Sequence, residues 1–218
     1  MLGFLSQHWV ATNAADALLG VETHCVKEEV EKPVKALLKA GWSTVWAPAA
    51  PSHLSNSGSF GGAVAAVKRH ICHCQSGSSK KGTFGWESGA LDMTGFQLHL
   101  KNGASIQVFA SYHREGASEE ILANLAAHTR GGALPFILFG DLNCGPDNPA
   151  IVKWLAPLKA FVATAGGGAP TCFPSRGQPS LIDFALVSIC LKGIVQKFDV
   201  DWRPWLSSSP RRSLAPCL

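Results

Sequence analysis

The sequence predicts an α/β fold, in which short buried strands are combined with amphipathic helices. The clearest indication is residues 118–130, which have a helical pattern with Ser118 as the N-cap, end at two glycines and lead directly into an apolar strand at 136–139. A helix followed so closely by a core strand packs against it as one α/β unit. A second indication is Asn102-Gly103 between two alternating apolar segments, which is typical of a β-hairpin.

The remaining elements follow from apolar segments and from the residues that bound them. A helix is expected to begin near Pro33 and to end at Gly41, because proline suits a first turn and glycine suits a helix end. A short helix is expected to start with Asn148 as its cap and Pro149 as its first residue. Strands are predicted at 16–24, 42–46, 61–68, 96–100, 105–111, 136–139 and 180–188.

Composition favours one globular domain. The chain has 218 residues, 46% of them apolar, which is enough for a sizeable core. No apolar segment approaches the roughly 20 residues of a membrane helix, and no basic region precedes an apolar one at the N-terminus. Seven scattered cysteines, an odd number, predict reduced thiols in an intracellular protein of the nucleus or cytoplasm. A net charge of +4 permits a polyanionic partner without requiring one.

Polar residues at strand ends are the candidate functional residues. Asp141 and Asn143 come directly after a core strand, and Glu22 and Asp183 interrupt apolar segments, where an unpaired carboxylate would be costly. Tyr112, the only tyrosine, ends another strand. Loops held by a rigid strand can present such groups to a cleft. The alternatives are an Asx turn after the strand, a partly exposed glutamate at a sheet edge, and a tyrosine that caps the sheet.

The order of these residues resembles a known family. The segments that carry the likeness match its Gln-Glu-Thr, Gly-Gly-hydrophobic, Gly-Asp-x-Asn and Ser-x-Ile-Asp-Tyr motifs, and they lie at residues 18–24, 61–65, 139–143 and 180–184. With Tyr112 between the second and third motifs, the chain resembles the endonuclease/exonuclease/phosphatase superfamily over about residues 14–188. The sequences Glu22-Thr23-His24 and Thr171-Cys172 look most like the endonuclease domains of LINE-type retrotransposons.

This resemblance implies a four-layer α/β (α+β) sandwich of two facing mixed β-sheets flanked by helices. It implies one domain over residues 1–218 with a divergent tail at 189–218. It also implies hydrolysis of a phosphodiester, as by an endonuclease, with Mg²⁺ or Mn²⁺ as the cofactor. Nucleic acid, with DNA favoured, is the expected partner, and a membrane is not expected.

The resemblance also implies roles for particular residues. Glu22 would bind the metal ion, because hard divalent cations prefer carboxylate oxygen. Asp141 would orient or deprotonate the attacking water, and Asn143 would hydrogen-bond the phosphate. Tyr112 would bind the phosphate or support the leaving oxygen, and Asp183 matches a catalytic aspartate of the family. His113 would be a further substrate contact, with His24 as a possible helper.

Two departures leave alternatives open. The family's first strand, which ends in asparagine, and its last Asp-His segment are not recognisable, and no histidine follows His128. Loss of a positioned acid–base group typically costs about 10²–10⁴ in rate. Because these two segments are not recognisable, the chain is expected to lack the first and last strands of the fold. The alternatives are a non-catalytic relic that binds nucleic acid, or a phosphomonoesterase of the same superfamily.

Overall fold

A computed structural model describes residues 15–52, 58–75, 91–119, 122–123, 126, 134–164, 168–174 and 176–195. Two complete helices and eleven strands lie in this part of the chain. They are β1 (Ala17–Val21), α1 (Glu31–Lys39), β2 (Trp42–Ala47), β3 (Ala50–Pro51), β4 (Ser59–Phe60), β5 (Ala63–Lys68), β6 (His73–Gln75), β7 (Leu91–His99), β8 (Ser105–His113), β9 (Phe136–Asp141), α2 (Pro149–Leu158), β10 (Ala160–Ala163) and β11 (Asp183–Ser188).

The first sheet has three strands in the order β1-β5-β2, and both pairs are antiparallel. The central strand β5 consists of small and β-branched residues, and it is buried on both faces. On the outer face, α1 covers the sheet through Leu37, which packs with Trp42 and Trp46. Gly41 ends this helix in a left-handed conformation, as the sequence predicted.

The second sheet has six strands in the order β10-β11-β9-β8-β7-β6. It is mixed, because β8 and β9 run parallel while the other neighbouring pairs are antiparallel. A separate antiparallel pair is formed by β3 and β4. Asn148 caps α2 as predicted, since its Oδ1 accepts the N–H of Ala150 at 2.9 Å.

The two larger sheets pack face to face. Val45, Ala65 and Val67 of the first sheet contact Phe96 and Val108 of the second. The other face of the second sheet is covered by helical residues, among which Leu122, Ile151 and Leu158 pack on Phe109, Leu138 and Phe184. The order helix, sheet, sheet, helix confirms the predicted α/β sandwich.

Some elements differ from the prediction. Strand β7 begins at Leu91 rather than at residue 96, because its polar Asp92 has partners and Gly95 allows close contact with Phe109. The short edge strands β6 and β10 were not predicted. Most of the helix expected at 118–130 and the expected loss of the first and last strands fall outside the described residues.

Two further findings bear on the predictions that no helix spans a membrane and that the cysteines are reduced. None of the helices in the described part of the chain has the length and apolar character of a membrane-spanning segment. Cysteines 25, 72, 74, 144 and 190 are free thiols, as expected. Cys172, however, is disulfide-bonded, so the expectation of reduced thiols is wrong for this residue. Scattered cysteines do not show which of them the fold brings together, and the sequence therefore gave no signal of the bond.

Candidate active site

Four polar side chains form a row across one end of the six-stranded sheet. Asp92 of β7 is the register partner of Tyr112 on β8, Tyr112 is the partner of Asp141 on β9, and Asp141 is the partner of Asp183 on β11. Side chains at one level of neighbouring strands face the same side of a sheet. Here that side is the one that faces the three-stranded sheet. The structure thus brings together three site residues that are widely separated in sequence.

Glu22 approaches this row from the opposite sheet. It follows directly after β1, which contacts both β8 and β9. Its backbone adopts the left-handed conformation, with φ of 52°, and so does that of His24. Such a conformation is uncommon for residues other than glycine. Burial raises the pKa of Glu22, and the nearby charge of Asp183 raises it further. The carboxylate therefore lies close enough to interact with the row.

The carboxylates share a partly buried cleft, and burial raises their pKa values. Burial raises the pKa of Asp141 to about 7, and the charges of Asp183 and Glu22 raise it in the same direction. The Asn143 N–H, which donates to Asp141 Oδ1 at 2.9 Å, opposes this shift. Crowding of unneutralised carboxylates in low dielectric is a common feature of functional sites.

Asn143 connects the turn after β9 with the end of β8. Its backbone is left-handed, with φ of 48°. Its side-chain Nδ2 donates to the carbonyl oxygen of His113 at 2.6 Å, and the side chain is also hydrogen-bonded to Tyr112. Burial and the charges of Glu22 and Asp141 nevertheless raise the pKa of Tyr112 to about 12. The phenol is therefore protonated at neutral pH and can donate a hydrogen bond.

Asp183 has a partner that sequence reasoning did not assign. The Thr171 hydroxyl oxygen accepts the backbone N–H groups of Ile182 at 3.2 Å and of Asp183 at 3.0 Å. A side-chain hydrogen bond from Thr171 also lowers the pKa of Asp183, although burial has the larger effect and raises it. The only signal in the sequence was the Thr171-Cys172 pair that supported the family resemblance.

The structure does not bring His113 into the cleft. Tyr112 points toward the three-stranded sheet, and strand alternation turns the next residue to the other face. The His113 ring is only 1% exposed, neither ring nitrogen has a hydrogen-bond partner among the described residues, and burial lowers its pKa to about 3. We therefore do not retain the expected substrate contact. His24 is exposed, and its Nδ1–H donates to the carbonyl of Ser59 at 2.7 Å.

Asp92 and Arg114 lie at the same end of the cleft, and neither was predicted. One guanidinium nitrogen of Arg114 donates to both Asp92 oxygens, at 2.7 and 2.9 Å. Asp92 Oδ2 also accepts the N–H of Gly62 at 2.8 Å. Asp92 was missed because it precedes the apolar segment at 96–100 that predicted the strand, and Arg114 was missed because none of the four family motifs includes it.

The donor set can be compared with the needs of a divalent cation. Among the described residues, no three His, Cys, Asp or Glu side chains cluster closely enough to form a metal site alone. Mg²⁺, however, usually binds through one or two carboxylates and retains several waters. Burial raises the pKa values of Glu22, Asp141 and Asp183, so their ionised forms are disfavoured in the cleft, and a cation beside them would favour ionisation. Glu22 with water therefore fits such an ion.

Several solved structures have a similar fold. The human Nocturnin catalytic domain matches with a TM-score of 0.55 and 17% identity over 80% of this chain and 69% of its own. A mannosyl-6-phosphatase from Bacteroides thetaiotaomicron matches with a TM-score of 0.52 and 16% identity over 86% and 76%. The APE2 catalytic domain of Xenopus laevis matches with 0.50 and 13% over 83% and 76%. At these identities the likeness shows the fold alone.

The comparison with curated proteins finds no significant match. The family model described as "Endonuclease/Exonuclease/phosphatase family" matches residues 7–195, which is most of the chain. Members of this family are hydrolases, and they generally use divalent metals. The match confirms the superfamily inferred from the four motifs. The chain belongs to the endonuclease/exonuclease/phosphatase family.

Proposed function

We propose that the protein is a metal-dependent phosphodiester hydrolase that acts on nucleic acid in the manner of an endonuclease. The observation that carries this proposal is the row of Tyr112, Asp141 and Asp183 on one sheet with Glu22 facing it from the other. The row would supply a proton acceptor and a proton donor side by side, and the opposite wall would supply a metal ligand. General acid–base catalysis and a bound metal ion both accelerate phosphoester hydrolysis.

Asp141 would act on the attacking water. Its carboxyl pKa of about 7 means that a substantial fraction is ionised at neutral pH while the group remains a strong enough base to accept a proton. The Asn143 N–H holds the Oδ1 atom at 2.9 Å, which fixes the orientation of the carboxylate. Burial raises this pKa most, and the charge of Asp183, directly opposite on β11, raises it further.

Tyr112 and Asn143 would contact the phosphate. Because the Tyr112 pKa is about 12, its hydroxyl is a hydrogen-bond donor throughout the physiological range. Asn143 holds the phenol through a side-chain hydrogen bond and is itself held by the His113 carbonyl. Donors that are already oriented stabilise charge on phosphate oxygens without reorganising during the reaction.

Glu22 would hold the divalent cation. A bound Mg²⁺ or Mn²⁺ ion neutralises developing charge on phosphate oxygens and polarises water. Burial and Asp183 make ionised Glu22 unfavourable when the cleft holds no cation, so the binding of a cation and the ionisation of Glu22 are mutually favourable. This coupling supports the choice of Glu22 as the ligand.

The Asp183–Thr171 contact supports a slow enzyme. In the resemblance that motivates the assignment, the corresponding aspartate orients a histidine, and no histidine follows His128 here. Asp183 instead binds a threonine hydroxyl, which cannot act as an acid at neutral pH. A positioned acid–base group contributes about 10²–10⁴ in rate. Among the described residues, Asp183 has no acid–base partner of this kind, and we expect slow turnover from the part of the site that they form.

The test is nicking of supercoiled plasmid in Mg²⁺, with chelator as the negative control. Asp141→Asn and Glu22→Gln should each abolish nicking. Asp16→Asn, which also replaces a carboxylate by an amide but at an exposed residue directly before β1, should leave nicking intact. Nicking that survives both cleft variants would overturn the residue assignment. Salt-dependent DNA binding without nicking would favour the non-catalytic relic. Release of phosphate from a small phosphomonoester would favour the phosphatase.

A further inference from the structure

Asp92 lies at a junction between the two walls of the cleft. Its carboxylate is buried, and its Cα is in register with that of Tyr112 on the neighbouring strand. One of its oxygens accepts the backbone N–H of Gly62, which belongs to the segment that leads into the three-stranded sheet. Asp92 therefore connects the six-stranded sheet, to which it belongs, with the segment that leads into the three-stranded sheet.

The segment that Asp92 holds passes through a narrow space. Gly61 and Gly62 both have left-handed backbones, with φ of 74° and 86°. A Cβ atom at Gly61 would overlap Asp92 Oδ2 and the Tyr112 ring, and one at Gly62 would overlap Thr23 Oγ1. The two glycines thus let the backbone lie directly between the Tyr112 wall and the residue that follows Glu22.

From this segment, hydrogen bonds continue to the turn that carries Glu22. The Gly61 carbonyl accepts the N–H of His24 at 3.0 Å, and the Gly62 carbonyl accepts the N–H of Thr23 at 3.3 Å. The Ser59 hydroxyl donates to the His24 carbonyl at 2.6 Å. Glu22 is followed directly by residues that are fixed to this segment, and its left-handed backbone needs such support.

Arg114 completes the junction from the other side. It follows Tyr112 by two residues, and its guanidinium pairs with Asp92 while lying 4.8 Å from the centre of the Phe60 ring. The side chains of Arg114 and Asp92 are only 14% and 10% exposed. A pair this buried holds its geometry, because loss of either partner leaves an uncompensated charge.

We propose that Asp92 is a positioning residue that sets the separation between Glu22 and Tyr112 across the cleft. The path runs from Tyr112 on β8, and from Arg114 just after this strand, to Asp92. It continues to the Gly62 N–H and then to Thr23 and His24 beside Glu22. Asp92 does not touch the substrate. It fixes the wall that would hold the cation relative to the wall that would hold the phosphate, so the inference rests on the proposed function.

The single tyrosine gives a readout that does not depend on turnover. Growth on 3-fluorotyrosine places one ¹⁹F label in the whole chain, at Tyr112. Mn²⁺ bound at Glu22 would broaden this ¹⁹F resonance according to the distance between the two. Asp92→Asn retains an oxygen acceptor but removes the charge, Asp92→Ala removes both, and Asp16→Asn is the matched surface control.

The expected result is a graded loss. Asp92→Asn and then Asp92→Ala should shift the ¹⁹F resonance of the metal-free protein and weaken its broadening by Mn²⁺, while Asp16→Asn changes neither. In the nicking assay kcat should fall by about 10- to 100-fold, as for residues that orient metal ligands through hydrogen bonds, with KM changed less than about 3-fold. Arg114→Lys should retain more activity than Arg114→Gln.

Other outcomes separate this inference from the proposed function. If the wild-type protein does not nick DNA but the ¹⁹F changes follow the predicted order, the proposed reaction fails and the positioning role stands. If Asp92→Asn folds and leaves both the ¹⁹F shift and its Mn²⁺ broadening unchanged, the positioning role is wrong. If kcat and the melting temperature both fall while the ¹⁹F signal stays unchanged, the ion pair has a purely structural role.

Discussion

Asp141 and Asp183 are direct register partners on the antiparallel strands β9 and β11, and both carboxyl groups face the same cleft. Acidic groups opposite each other destabilise a sheet unless one is protonated or a cation lies between them. Burial raises both pKa values, and the charge of Asp183 raises that of Asp141 further, to about 7. The folded protein thus accepts unfavourable electrostatics at this pair, which is characteristic of sites selected for binding or chemistry rather than for stability.

Replacement of Asp141 by asparagine should stabilise the metal-free protein above pH 7. The folded pKa lies above the usual value of 3.8, so the folded state favours the neutral acid and loses stability as pH rises through about 4 to 7. Asparagine removes that loss, and we expect a gain of ~1–3 kcal/mol at pH 8. Urea unfolding at pH 4 and pH 8 measures it. A gain of the same size at both pH values would contradict the ionisation as its cause.

Mg²⁺ should stabilise the wild-type protein more at pH 8 than at pH 5. A cation binds the ionised form of Glu22, whose pKa is raised by burial, so protons compete with the metal at low pH. Melting temperature measured against Mg²⁺ concentration tests this. Glu22→Gln should abolish the dependence, and the exposed change Asp16→Asn should retain it. Equal stabilisation of the Glu22→Gln protein would place the ion elsewhere.

The rate of nicking should depend on ionisation of Asp141. Below its pKa of about 7 the rate should rise about tenfold per pH unit, and above it the rate should level off. Because a cation favours the carboxylate, higher Mg²⁺ should move the midpoint to lower pH. Single-turnover nicking from pH 5 to 9 at two Mg²⁺ concentrations gives both values. A rate that does not vary with pH would exclude Asp141 as the base.

Thr171→Val should destabilise the protein by ~1–3 kcal/mol, whereas Thr171→Ser should have little effect. The hydroxyl oxygen accepts two backbone N–H groups and the hydroxyl lowers the pKa of Asp183, so valine leaves donors unpaired and the carboxylate unsupported. Denaturant unfolding of the two variants provides the comparison. If valine and serine behave alike, the hydrogen bonds contribute nothing measurable.

Gly62→Ala should cost more stability than Gly103→Ala, although both glycines have left-handed backbones. At Gly103 a Cβ meets nothing within 4 Å, so only the backbone penalty of about 1–2 kcal/mol applies. At Gly62 the Cβ would also overlap Thr23 Oγ1 and lie 2.9 Å from the backbone nitrogen of Ala49. Thermal unfolding measures both. Equal costs would mean that the segment can move aside without loss.

The sequence predicted those parts of the site that depend on strand ends. Glu22, Asp141 and Asp183 stood out because each places a carboxylate at an apolar strand, where the cost of burial demands a partner. His113 was assigned to the cleft because its neighbour Tyr112 was, and strand alternation sends it to the opposite face. Strand pairing itself was not visible in the sequence, and it is pairing that places Asp92 beside Tyr112.

The fold was predicted where local patterns were strong. The hairpin at Asn102-Gly103 and the cap at Asn148 depend on neighbouring residues, and both are present. The edge strands β6 and β10 have few apolar residues of their own or follow a helix directly, and they gain their structure from the pairing partner. The Thr171 contact depends on a loop whose path no local pattern determines.

The position of β11 at the end of the described core has a consequence for biosynthesis. Glu22 is made early by the ribosome and Asp183 late, and the sheet that places Asp141 opposite Asp183 is incomplete until β11 has paired with β9. Contacts between such distant parts of a chain form slowly, because the intervening loop must close first. A nascent or prematurely ended chain would therefore hold Glu22 and Tyr112 without a finished cleft, and any cleavage of nucleic acid would begin only after synthesis of this strand.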